Sequence, residues 1–194
     1  DGVNFIDTAN MYTKGESERI VGNAVRDRRD KVVLATKVRV ATGPGPNDAG
    51  CSRYHILREV ENSLRRLGLD HIDLYYLHQY DYETPIEESL RAMDDLVRQG
   101  KVRYLGCSNY YAYQVLEGLW ISDRLGLERF ACVQPLYNMV NRDVELELIP
   151  MCRAQGVGVV PYSPLARGVL TGKYKPGESF PEGSRAARKD KRIQ

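Results

Sequence analysis

The sequence predicts an α/β fold of parallel strands and intervening helices: a (β/α)8 TIM-type barrel of which about six βα units are present. Three observations carry this prediction. Six short runs are apolar almost without interruption, as expected of strands covered on both faces. They recur at roughly 25–40 residue intervals, the length of one βα unit, and helix-period patterns fill most of the stretches between them. Each run ends in a polar residue. Parallel strands joined by helices gather their carboxyl ends on one face, and in a (β/α) barrel the active site is built there.

The first run, Val3-Asn4-Phe5-Ile6, ends in Asp7-Thr8. Glu16 to Arg28 then reads as a helix with Ile20, Val21, Ala24 and Val25 on one side. The second run, Lys31 to Thr36, ends in Lys37. Gly43-Pro44-Gly45-Pro46-Asn47-Asp48 follows as a flexible loop on the carboxyl face. Ser52 can cap a helix whose apolar face is Ile56, Leu57, Val60, Leu64 and Leu67. The third run, Ile72 to Leu77, ends in His78. Thr84-Pro85-Ile86-Glu87 reads as a helix start, with Thr84 as N-cap, Pro85 in the first helical position and Glu87 completing a capping box. Its stripe is Ile86, Leu90, Met93 and Val97, and Gly100 stops it. The fourth run, Val102 to Cys107, ends in Ser108-Asn109, and a helix is expected from Tyr113 to Arg124. Ala131-Cys132-Val133 ends in Gln134; the helix from Glu145 to Gln155 is ended by Gly156. The last run, Val157 to Pro161, ends in Tyr162-Ser163. Arg167 to Ser184, with Gly168, Gly172, Pro176, Gly177 and Pro181, reads as a second long loop.

Six strands would suffice for an open doubly wound sheet, but that fold normally carries a Gly-x-Gly-x-x-Gly turn after its first strand. Here the turn is Asp7-Thr8-Ala9-Asn10-Met11-Tyr12. The barrel is therefore favoured. A barrel needs eight strands, so residues 1–194 are expected to be one domain truncated at both ends, with the first and last strands missing. The net charge of +2 and the scattered basic residues give no reason to expect a nucleic-acid partner. The one basic cluster, Arg185, Arg188, Lys189, Lys191 and Arg192, reads as a solvated tail or helix face. No apolar run is long enough to span a membrane, and nothing reads as a signal peptide. Cys51, Cys107, Cys132 and Cys152 lack metal-ligand spacing and fit free buried thiols in the cytoplasm, with no metal implied.

Asp7, Tyr12, Lys37 and His78 together suit carbonyl reduction. A hydride arrives on one side while Tyr12 protonates the developing alkoxide. An ammonium at Lys37 is expected to lower the phenol's pKa, Asp7 to fix Lys37, and His78 to polarise the carbonyl or relay a proton. Singly, each residue has a plainer reading: a capping aspartate, a surface lysine or tyrosine, a structural histidine. Their placement at successive strand ends is what joins them.

Asp7-Thr8-Ala9-Asn10-Met11-Tyr12, Ala35-Thr36-Lys37 and Asp70 to His78 closely resemble the aldo-keto reductase family. So do Gly100 to Asn109 and Pro161 to Gly168, and the resemblance covers essentially the whole chain. The stretch from Ser163 to Tyr174 looks most like the bacterial branch related to potassium-channel β-subunits. The resemblance implies an NADPH-dependent barrel that reduces aldehydes and ketones. Matched by motif, Asp7, Tyr12, Lys37 and His78 form the catalytic tetrad, with Tyr12 the general acid. Ser108, Asn109 and Gln134 hold the nicotinamide carboxamide, and Tyr162 stacks on the ring. Ser163, Pro164, Leu165, Arg167 and Gly168 form the loop around the pyrophosphate. Lys173 and Arg185 match positions that reach the NADP(H) cofactor; ordinary solvated charge is the alternative for both. The implied partner is a small carbonyl substrate, with a homo-oligomer left open. A regulatory subunit with slow turnover, like a channel β-subunit, is the alternative reading, and a cofactor-free scaffold a third.

Overall fold

A computed structural model describes residues 2–175 and 177–188. Six strands, β1 (Phe5–Asp7), β2 (Val33–Val38), β3 (Ile72–Leu77), β4 (Val102–Ser108), β5 (Phe130–Gln134) and β6 (Gly158–Val159), lie in sequence order. All pair in parallel, and the sheet curls into a half-barrel. Among the described residues β1 and β6 do not pair with each other, so the arc is open between them, as the strand count predicts. Helices α1 (Glu16–Val25), α2 (Arg53–Leu67), α3 (Ile86–Arg98), α4 (Ala112–Leu125) and α5 (Leu148–Gln155) connect successive strands.

Most strand side chains that alternate outward join the helices in one large core, which includes Leu34, Tyr75, Leu77, Leu105 and Val133. A second, smaller cluster lies on the concave side: Ala35, Leu74, Tyr76 and Cys132, with Phe5 and Val160 against it. Lys37, Tyr76, Gly106, Cys132 and Gly158 stand in one row across the pairing register. Gly106 is needed in that row, because a Cβ there would lie 2.6 Å from the Tyr76 ring. With this spacing the Cys132 thiol donates to the Tyr76 hydroxyl at 3.3 Å.

Several expected elements differ in detail. The side of α1 that is buried carries Glu18, Gly22 and Val25, whereas Ile20 is 60% exposed and Ala24 is also outside. Thr36 and Arg66 draw the Glu18 carboxylate inward, with bonds of 2.6 and 2.5 Å. A hydropathy pattern has no means of registering that. The helix also stops at Val25, and Arg26–Lys31 is a kinked 3-10 stretch. The Ser52 cap forms, accepting the His55 N–H at 3.3 Å. The capping box at Thr84 does not. Pro85 is the N-cap of α3, and the Thr84 hydroxyl donates to Asp81 at 2.9 Å. β6 keeps only two residues of its predicted run, although Val160 and Tyr162 still donate to the Val133 and Pro135 carbonyls beyond it. The Gly43–Asp48 loop is tied down by Asp48, which accepts the Gly45 N–H at 2.8 Å. In the final loop Ala166–Thr171 is a 3-10 turn, and Arg188 donates to the Gly183 carbonyl. Pro176, Lys189, Lys191 and Arg192 lie outside the described residues.

Candidate active site

The register of the sheet builds the site. Two residues beyond the Lys37–Tyr76–Gly106–Cys132 row, the concave side presents His78, Ser108 and Gln134 at the carboxyl ends of their strands. Asp7 ends β1 beside them. A cleft of about 440 Å³ is lined by Asp7, Tyr12, His78, Gln79, Ser108, Asn109, Gln134, Tyr162, Ser163, Arg167 and Arg185. Ten of these residues are expected from the sequence; Gln79 is not, because it falls in none of the site positions that the motifs mark.

Lys37 lies behind the cleft wall with its side chain fully buried. Its ammonium pairs with Asp7 and also donates to the Thr8 carbonyl at 2.7 Å. The Lys37 nitrogen is 5.4 Å from the centre of the Tyr12 ring. Tyr12 and His78 meet edge to face, with centroids 5.8 Å apart. The turn that carries Tyr12 is anchored by Thr8 on Ser17 at 2.8 Å and by Asn10 donating to buried Glu59 at 3.0 Å.

The electrostatics depart from the sequence expectation at one point. Lys37 does not lower the Tyr12 pKa. The phenol is held above its ordinary value, first by burial and then by the charges of Asp7 and Tyr162. Asp7 pairs with the Lys37 ammonium, and its own charge acts on the phenol in the opposite sense to that cation. Burial lowers the Lys37 pKa against the opposing pull of Asp7. His78 is pushed down to about 4 by burial and by the charges of Lys37 and Arg39, so its ring is neutral at pH 7. Its Nδ1 is buried without a hydrogen-bond partner.

On the other wall the polar groups are locked together. Asn109, at φ 57°, donates to the His78 carbonyl at 3.0 Å and accepts the Tyr162 hydroxyl at 2.8 Å. The Ser108 hydroxyl donates to the Gln134 carbonyl at 2.8 Å, and the Gln134 amide donates to Asp7 at 3.2 Å. Beyond Tyr162 the chain takes left-handed conformations at Ser163, Ala166, Arg167 and Gly168. Lys173 packs against Gly168, where a Cβ would stand 2.8 Å from its ammonium. Pro164, Leu165, Gly168 and Lys173 belong to this loop but do not line the cleft.

Residues 1–191 match the profile described as the Aldo/keto reductase family. The chain belongs to that family. Among its relatives is a "Probable voltage-gated potassium channel subunit beta" of Arabidopsis thaliana, 45% identical over 190 residues, which are 96% of this chain and 57% of the relative. "Aldo-keto reductase AMT2" of Alternaria alternata is 38% identical over 195 residues, covering 87% of this chain and 53% of the relative. "Uncharacterized oxidoreductase YrpG" of Bacillus subtilis is 41% identical over 184 residues, covering 89% and 56%. The chain thus spans about half the length of the curated relatives it matches. No helix among the described residues is long and apolar enough to cross a membrane.

Proposed function

We propose that this chain carries the catalytic half of an NADPH-dependent oxidoreductase that reduces aldehydes and ketones to alcohols, with Tyr12 as general acid. The observation that carries the reading is the meeting of Tyr12 with neutral His78 and the Asp7–Lys37 pair in one cleft. NADPH, when bound, supplies the hydride. The residues present fit such a cofactor. Gln134 spends its side-chain amide N–H on Asp7 and keeps its side-chain Oε1 for a carboxamide. Tyr162 offers an aromatic face at the cleft. Arg167, Arg185 and Lys173 supply cations of the kind a diphosphate requires, beside a loop bent by Gly168.

The roles of the other groups follow from their protonation. Tyr12 is protonated across the neutral range and can donate to a developing alkoxide. His78, neutral, can donate a hydrogen bond to the carbonyl oxygen without adding charge. Lys37 cannot reach solvent. It acts by holding Asp7 and by placing positive charge behind the phenol. The four cysteines are free and buried, which fits a cytoplasmic setting.

A channel-β-like regulatory subunit with slow turnover is the second reading, favoured by the 45% identical relative. The full polypeptide, mixed with NADPH and excess benzaldehyde, should oxidise the nicotinamide repeatedly. One rapid turnover followed by a stall would favour the regulatory reading. No oxidation at all would refute the oxidoreductase.

A further inference from the structure

We propose that Arg39 and Gln79 form a carboxylate-recognition site beside the reacting centre, so that the preferred substrates are carbonyl compounds bearing a carboxylate. This rests on the reading of the cleft as a carbonyl reductase. Arg39 lies two residues past Lys37, and the Val38–Leu77 pairing brings it level with His78. Its backbone is at φ 129°, a region that residues with a Cβ rarely adopt. The Gly50 N–H holds the Arg39 carbonyl there at 2.8 Å. Backbone strain of this kind persists where the surroundings over-determine it, and it gathers at ligand sites.

The guanidinium has an unusual set of neighbours. Arg29, Arg58 and Arg66, partly buried like Arg39, each meet a carboxylate, whereas Arg39 forms no ion pair among the described residues; others without one, such as Arg26 and Arg65, are exposed. Its hydrogen-bond partner is the uncharged Gln79 Oε1, at 2.9 Å. Asp81, two residues beyond Gln79, is engaged by the Cys51 and Glu83 N–H groups and the Thr84 hydroxyl. Gln79 lines the cleft with Tyr12 and His78. With its oxygen turned to Arg39, its amide N–H group is left as a donor. A half-buried cation without a counter-charge is costly to maintain, and a substrate carboxylate would supply the missing charge.

Two measurements on the full polypeptide test the site. The first compares kcat/KM for 4-carboxybenzaldehyde and its methyl ester. The wild type should prefer the acid by about tenfold or more, as for a site whose polar groups go unpaired with the wrong substrate. Arg39→Gln should bring the ratio close to one, and Arg39→Lys should keep part of it. A wild type without preference, or a ratio in Arg39→Gln within twofold of the wild type, overturns the proposal. The second is independent of turnover: benzoate and benzamide are titrated by calorimetry. Benzoate should bind more tightly than benzamide, and Arg39→Gln should remove the difference. Equal benzoate affinity in both proteins overturns the carboxylate site even if reduction is normal. A carboxylate site confirmed in a protein that reduces nothing would leave the fault with the catalytic reading.

Discussion

A phenol that gives up a proton must first hold one. Burial and the Asp7 charge keep Tyr12 protonated, so its removal should abolish the donor and leave the pocket intact. Tyr12→Phe should lower carbonyl reduction by about 100-fold or more, with NADPH affinity, read by fluorescence quenching, nearly unchanged. Near-normal turnover would sink the assignment. His78 gives a second test at this scale. Its ring protonates near 6.5 when unfolded and only at about 4 when folded. Between those values the unfolded state binds the extra proton, so stability is lost as pH falls from 6.5 towards 4. His78→Gln should flatten that part of a urea-unfolding profile, by no more than about 3 kcal/mol and less after solvent screening. Identical slopes would show that the imidazole is not shielded. Asp7, His78, Ser108, Gln134 and Tyr162 were legible because each follows an apolar run, whereas Arg167 and Arg185 were legible only through the motifs around them. The phenol's pKa was not: it depends on burial and on the nearby Asp7 charge, and only the fold supplies both.

At the scale of elements, the predicted strands and helices all occur, with shifts of a few residues at their ends. What periodicity could not supply was partner choice. Glu18 turns inward because Arg66 and Thr36 await it, and Thr84 leaves its capping role because Asp81 competes for its hydroxyl. Close approach was equally invisible. A Cβ on Gly22 would stand 2.0 Å from the Leu67 carbonyl oxygen, so α1 and α2 touch through a position that admits only hydrogen. Gly22→Ala gains helix propensity, yet it should destabilise the protein by about 1–3 kcal/mol through overpacking. The chemical denaturation midpoint reports this directly. An unchanged or higher midpoint would mean that the helices separate without cost.

For the whole molecule, the open arc is the governing fact. β1 and β6 each leave one edge unpaired among the described residues, and concave-side residues such as Tyr104 are more than half exposed. Such edges recruit further chains. Residues 1–194 expressed alone should therefore self-associate in sedimentation velocity at micromolar concentration. A stable, fully active monomer would contradict the half-barrel reading. The eightfold plan itself was legible from strand spacing and from the missing glycine-rich turn, since both are local in sequence.

The seclusion of Lys37 also makes the chain chemically selective towards amine reagents. Lys14, Lys31, Lys173 and Lys175 are exposed and Lys101 is partly so, while Lys37 is sealed behind Asp7 and the Thr8 carbonyl. Reductive methylation under native conditions should tag the outer lysines within minutes and spare this one, as peptide mass spectrometry would show. Its slow tagging would then time the opening of the sheet. Asp7→Asn, which removes the counter-ion but little volume, should hasten that clock without altering the labelling of any other lysine.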